Sequence, residues 1–150
     1  MLSGKLIHLV ESHEEEITAS IVRAIHRHPD LPHLVKVPEP ELRDRCGEIL
    51  KNLGHWLAYS HEEELAREYD ALGRVRFEEA VPLDEALRGL WLTKNKMFDF
   101  LDAQGLGSDS LALYAEEQLL RRIGQFFDLL AVHLVRGYER ARRHAAHAAG

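Results

Sequence analysis

The stretch Leu72-Gly73-Arg74-Val75-Arg76-Phe77 lies at the junction of two predicted helices and decides the fold of the chain. Its Leu72 and Val75 extend an apolar face that begins at Leu65 and Tyr69, at the spacing of three and four residues typical of a helix. Val81-Pro82-Leu83 follows, and proline suits the first turn of a new helix because the amide it lacks would have no partner there. One helix therefore ends, and another begins, within a few residues.

Outward from this junction, apolar residues at helical spacing predict an all-α chain of about five helices. In chain order the helices are expected to begin near Ser3, Glu39, Ser60, Pro82 and Asp109. Pro29 and Pro32 end the first one after His28, and the second runs to Tyr59. Ser60-His61-Glu62-Glu63 fits a capping box at the start of the third, and Ser108 or Ser110 is expected to cap the last. No strand pattern or internal repeat interrupts the series.

The last predicted helix, from about Asp109 to Arg143, is too long for a domain of this size alone. Apolar residues form a seam along it, and further apolar residues widen the seam into two faces. One face can serve the core and the other a partner. The seam residues expected to pair helices in a dimer are Leu120, Phe127, Leu130 and Leu134, and the seam begins at Leu113.

Composition limits the class of protein. A chain of 150 residues with 45% hydrophobic content suits one domain, which we assign to residues 1–140, with 141–150 as a flexible tail or the start of a linker helix. A net charge of −6 argues against non-specific nucleic-acid binding. Cys46 is the single cysteine, so an intrachain disulfide is impossible and a cytoplasmic location is expected. No stretch reaches the length needed to span a membrane.

The junction segment resembles that of sensor globins, in which an Ile/Leu-Gly-Arg-x-His turn supplies the proximal histidine to haem and a helix led by proline follows. Here Arg76 takes the place of that histidine. A guanidinium presents donors only and cannot lend a lone pair to iron. With its helix order, the chain is similar to the non-haem globin domain at the N-terminus of stressosome Rsb-type co-antagonists, of the RsbRD N-terminal type, and of related bacterial regulators and histidine kinases.

The resemblance implies a globin-like sensor domain without cofactor. It also implies a homodimer that passes a signal along its last helix to an output or regulatory signalling protein. The signal is expected to be a small apolar or amphiphilic molecule, or a protein partner. The expected pocket residues are Trp56, Arg76, Trp91 and Phe98. Because members of the family carry an output domain, the chain is either a stand-alone relative or a piece of a kinase, phosphatase or STAS-containing protein.

Arg74 and Arg76 allow two interpretations. With Glu78 and Glu79 they can form a surface loop with weak ion pairs. Alternatively, Arg76 inherits a position that faces the ligand pocket of haem globins, and it closes that pocket or meets an anionic ligand such as a carboxylate.

The ten histidines leave a haem- or metal-binding sensor as an alternative. His55 and His133 could ligate haem from unusual directions, although a lone histidine on an apolar face is more often a core residue. A second group could bind zinc or nickel, or simply form a solvated helix end. That group is His26, His28, Asp30 and His33. A helical adaptor without a ligand is the remaining alternative.

Catalysis is not expected. The glutamate runs at 14–16 and 62–64 cannot converge on one substrate, because consecutive helical side chains point about 100° apart. The sequence also has neither a glycine-rich phosphate loop nor a serine nucleophile elbow.

Overall fold

A computed structural model describes the backbone of residues 2–59, 61–104 and 110–149, and side chains over 4–59, 61–104 and 117–149. Within those ranges the chain is all-helical, with six α-helices and one 3₁₀ turn. The helices are α1 (Leu2–Ser12), α2 (Glu14–Arg27), α3 (Glu39–Tyr59), α4 (Glu62–Glu78), α5 (Leu83–Gln104) and α6 (Ser110–Ala149), and the 3₁₀ turn spans Leu34–Lys36. The predicted all-α architecture with a long last helix is confirmed.

The first predicted helix is in fact two. His13 leaves helical geometry at φ −118° and ψ 19°, and its Nδ1 lies 2.9 Å from the carbonyl oxygen of Leu9. The three glutamates of 14–16 then fill the first turn of α2, where negative charge complements the helix dipole. Apolar spacing concealed this break, because Val10 and Ile17 are seven residues apart and remain in register across it.

The turn after Arg76 is a Schellman motif. Ala80 adopts a left-handed φ of 60°, its amide bonds to the carbonyl of Phe77, and the Val81 amide bonds back to the carbonyl of Arg76. Val81 is only 1% exposed, so the motif ends with an apolar anchor in the core. This local geometry reverses the chain from α4 into α5.

The closest helix crossing joins α4 to α6. A Cβ added to Gly73 would overlap the carbonyl oxygen of Leu134, and one added to Gly137 would overlap that of Asp70. The two backbones can approach this closely only because both positions are glycine. Tyr138 reinforces the crossing by donating its hydroxyl to the carbonyl oxygen of Val81 at 2.8 Å.

Helix α6 has 40 residues and is about 60 Å long. It continues to Ala149, beyond the end predicted near Arg143, and residues 142–149 are exposed. The predicted caps Ser60, Ser108 and Ser110, and Leu113 at the start of the seam, fall outside the described side chains.

Candidate functional site

Arg76 is a buried cation, with 6% of its side chain exposed. Its Nη1 lies 2.7 Å from Oε1 of Glu79 and 3.6 Å from Oε1 of Glu41. Glu79 is the C-cap that follows α4, and Glu41 lies in the first turn of α3, so the guanidinium joins the ends of two helices. The surface-loop interpretation is therefore wrong for this residue, whereas Arg74 is 63% exposed and pairs loosely with Glu78 at 3.8 Å.

The two carboxyl groups around Arg76 act on each other. Burial raises the pKa of Glu41, and so do the hydrogen bond and the charge repulsion from Glu79, while Arg76 and Arg45 lower it. Arg76 thus neutralises an acidic pair that would otherwise be unfavourable. A carboxylate ligand would meet a guanidinium whose charge is already shared by two carboxylates at Nη1.

A cavity of about 40 Å³ lies beside Arg76, with mostly apolar walls. Its other polar lining residues are Arg45, Cys46 and Thr93. Burial raises the pKa of the Cys46 thiol to about 12, so the thiol is neutral at pH 7, and the Thr93 hydroxyl donates to the carbonyl oxygen of Gly89 at 2.9 Å. This space is close to that of one water molecule. A globin's haem does not fit these residues, since the cavity is too small and Arg76 offers iron no lone pair.

The four predicted pocket residues do not share one cavity. Arg76 lines the small cavity, whereas Trp91 is 47% exposed and lines a groove on the surface. Trp56 and Phe98 line neither space and are partly buried against the core. The indole Nε1 of Trp56 donates to the carbonyl oxygen of Arg122 at 3.2 Å, which ties α3 to α6.

The seam predicted for helix pairing faces this chain's own core. Phe127, Leu130 and Leu134 are 4%, 0% and 1% exposed, and Leu120 is partly buried against the same core. Arg122 secures this packing, since its Nη2 donates to the carbonyl oxygens of Trp56 and Leu57 at 3.2 and 3.0 Å. Their part in pairing helices of two chains remains a prediction.

A groove of about 420 Å³ separates α5 from α6 on the surface. Its apolar walls include Trp91 and Phe127, and the Arg88 guanidinium lies 5.1 Å from the centre of the Trp91 ring. The rim carries two cations and two anions, which are Arg88, Lys94, Asp84 and Asp128. Trp91 and Phe127 were predicted site residues, whereas the four charged residues of the rim were not. The available signal was the placement of charges three and seven residues from Trp91 on one helix face.

A cavity of about 780 Å³ lies between α1 and α3. This cavity was not predicted from the sequence. It was invisible because a single continuous first helix was expected, so nothing indicated that the segment before His13 forms a separate wall.

The histidines are dispersed. The His55 ring is exposed and packs 6.0 Å from that of Tyr59, while His133 is 6% exposed with its Nε2 3.1 Å from Oε1 of Glu62. Neither lines the cavity beside Arg76. Over the described part of the chain, no group of three or more His, Cys, Asp or Glu side chains is arranged to hold a metal ion.

One histidine of the 26–33 group has a structural partner that the sequence analysis also missed. Glu85 is 4% exposed and accepts the amides of His33 and Leu34 at 2.8 and 3.0 Å, with the His33 Nδ1 at 2.6 Å. Burial alone would raise the pKa of Glu85, but these hydrogen bonds lower it overall. The carboxylate fixes the 3₁₀ turn against the start of α5.

Comparison with known proteins identifies the family. The family model for the RsbT co-antagonist protein rsbRD N-terminal domain matches residues 15–150. No curated protein matched the sequence. None of the helices in the described ranges has the length and apolar character required to cross a membrane. The chain therefore belongs to the RsbT co-antagonist protein rsbRD N-terminal domain family, whose members are stressosome-type signalling sensor domains of the non-haem, globin-like kind.

Proposed function

We propose that this chain is a non-catalytic bacterial sensor domain that forms a homodimer and relays a binding event through α6 to an output module. The observation that carries the proposal is the form of α6. Its middle packs into the core, while residues 142–149 continue as an exposed helix beyond it. A helix that is both core element and extension can transmit a change of packing to whatever follows or contacts it. The proposed setting is the cytoplasm.

Three contacts make α6 responsive to the other helices. Gly73 brings α4 into backbone contact with it, and Arg122 binds the carbonyl groups near the end of α3. Tyr138 holds the turn between α4 and α5 through Val81. A ligand that binds one arrangement of α3, α4 or α5 more tightly would increase the population of that arrangement, and α6 would move with it. The size of the population shift is set by the difference in the ligand's affinity for the two arrangements.

Arg76 closes the former haem position in this proposal. Its side chain occupies the space beside the small cavity, and Glu79 and Glu41 fix it there. Of the two roles expected from sequence, closure has more support than recognition of an anionic ligand, because the positive charge is already balanced within the chain.

We infer that the groove between α5 and α6 is where two copies meet. Trp91 is a large exposed aromatic side chain, a type enriched at interfaces. In a two-fold symmetric pair every contact occurs twice: if residue i of one copy touches residue j of the other, then residue j of the first copy touches residue i of the second. A rim with two cations and two anions suits such a pair, since Arg88 and Lys94 of one copy can face Asp84 and Asp128 of the other. Leu120, Phe127, Leu130 and Leu134 then support the interface from beneath.

Light scattering over a concentration series tests the pairing. We expect a dimer for the natural chain and a monomer for Trp91→Arg, because a buried unpaired charge at an interface centre costs several kcal/mol. Tyr59→Arg is the matched control, since Tyr59 is also aromatic and 67% exposed but lies outside the groove. A natural chain that stays monomeric at tens of micromolar, or two variants that behave alike, would refute the interface.

A further inference from the structure

The cavity between α1 and α3 is built like a binding groove. Its volume of about 780 Å³ is in the range of small-molecule sites in proteins. Leu6 and Val10 of α1 and Leu53 and Leu57 of α3 line it, and each of these side chains is at most 5% exposed. The groove therefore has an apolar floor.

Two glycines of α3 face α1 and the start of α2. A Cβ on Gly54 would lie 3.9 Å from the side chain of Ile7, and one on Gly47 would lie 2.8 Å from a carboxylate oxygen of Glu14. These two contacts show that the chain segments run antiparallel, with Ile7 opposite Gly54 and Glu14 opposite Gly47. The seven residues from Gly47 to Gly54 span about 10 Å along the helix axis.

The charges of the groove are concentrated at one end. Glu11, Glu14 and Asp44 lie where α1 meets α2, and in the described part of the chain none of the three belongs to a salt bridge. A fourth carboxylate, Glu48, is paired with Arg45 at 3.2 Å. Of the two cations lining the groove, Arg43 pairs with Glu39, which leaves Lys51. The acidic end therefore keeps an excess of negative charge, and among the described residues the opposite end has no carboxylate and combines apolar residues with His55 and Tyr59.

Helix α1 forms one wall of the groove. The family match begins at residue 15, so α1 lies before the matched segment, and the break at His13 separates it from α2. Leu6 and Val10 nevertheless anchor this wall in the common core.

We propose that this groove binds an amphiphilic organic cation, with its charged head at Glu11, Glu14 and Asp44 and an apolar body about 10 Å long toward Gly54. The inference rests on the proposed sensing role and names the ligand class and place. Charge complementarity selects the cation over an anion of the same shape, and burial of the apolar body supplies most of the affinity.

Isothermal titration calorimetry with two matched probes tests the proposal. Octyltrimethylammonium and octyl sulfate have the same chain and opposite charge, and both are used below their micelle concentrations. We expect the natural chain to bind the cation at least about tenfold more tightly than the anion. Equal affinities, or no binding of the cation, would overturn the proposal.

Variants test the acidic end and the Gly54 end of the site independently. The double variant Glu14→Gln, Asp44→Asn should weaken cation binding about tenfold, while Glu16→Gln, which removes a charge outside the groove, should leave it within about twofold. Gly54→Leu should abolish binding of both probes by filling the apolar end. Circular dichroism confirms that each variant is folded. Unchanged binding in the double variant or in Gly54→Leu would also overturn the assignment.

The outcome of the calorimetric titrations is independent of dimer formation. A monomeric chain that still binds the cation would contradict the pairing and leave the groove intact. A dimer that does not bind it would contradict the groove alone.

Discussion

Arg76 shows how one residue changes the chemistry of an inherited fold. The sequence marked it through the resemblance to a haem-ligand position, and the structure gives it two acidic partners. Glu79 could be anticipated as a partner, since it lies only three residues further along the chain, at the C-cap of α4. Glu41 could not, because the pair closes over 35 residues of sequence and depends on how α3 packs against α4.

We expect Arg76→Ala to lower the free energy of unfolding by about 2–3 kcal/mol at pH 7, because Glu41 and Glu79 lose their cation. Arg76 lowers the pKa of Glu41, so the variant raises that already elevated pKa further. The folded state then takes up a proton at a pH where the unfolded state does not, and part of the lost stability returns as pH falls toward 5. Urea unfolding at pH 7 and pH 5 measures both effects.

Arg74→Ala is the control for this prediction. Arg74 is 63% exposed, and its pair with Glu78 should contribute less than about 1 kcal/mol at either pH. Equal losses in the two arginine variants would contradict the structural role of Arg76.

For Glu85 the expected pH dependence of stability has the opposite sign. Hydrogen bonding lowers its pKa below the ordinary 4.5, so the charged form stabilises the fold above that value and the contribution is lost as pH falls through the folded-state pKa. Glu85→Gln should cost about 1–2 kcal/mol at pH 7 and flatten the acid limb of the stability curve below pH 5. Thermal unfolding from pH 3 to 7 measures this.

The matched variant for Glu85 is Asp84→Asn, which removes a charge from the same first turn of α5 but from an exposed side chain. It should shift the stability by a few tenths of a kcal/mol. An acid limb that is identical in Glu85→Gln and the natural chain would rule out the proposed role of the carboxylate.

At the scale of the elements, the positions of most helices along the chain could be predicted, whereas the break between α1 and α2 and the packing of the helices against one another could not. Apolar spacing gave α3 its bounds of Glu39–Tyr59 and placed α5 after Pro82. It failed at His13, where the register continues through a break, and at the end of α6, where an Ala-rich segment remains helical without an apolar stripe. Periodicity reports which face is apolar, and carries no information about whether the backbone is interrupted.

The crossing of α4 and α6 depends on glycine. Gly73→Ala should lower the free energy of unfolding by more than about 3 kcal/mol, because the new methyl group would meet backbone atoms of Leu134 and Tyr138 that cannot rotate away. Denaturant unfolding followed by circular dichroism measures the loss.

Gly124→Ala provides the contrasting case on α6. Nothing lies within 4 Å of a Cβ at Gly124, so alanine should raise stability by about 0.5–1 kcal/mol through its better helix propensity. If Gly73→Ala were also neutral or stabilising, the close crossing would be wrong.

At the scale of the whole molecule, the family and the all-α architecture could be predicted, and the location of the candidate sites could not. Trp91 was expected to share a pocket with Arg76, yet the two residues line different spaces. Surface grooves arise between helices that are distant in sequence, and their charges come from both sides. Single-helix patterns therefore identify the residue types without showing which of them meet.

The central claim is that two copies pair and hold their α6 extensions in a defined arrangement. A spin label on Ala145→Cys tests it directly, because residue 145 is exposed on α6, whereas Cys46 is buried with a raised pKa and should stay unlabelled. The account predicts one narrow intermolecular distance by pulsed electron paramagnetic resonance, which Trp91→Arg removes. The absence of any intermolecular dipolar signal from the natural chain would contradict it.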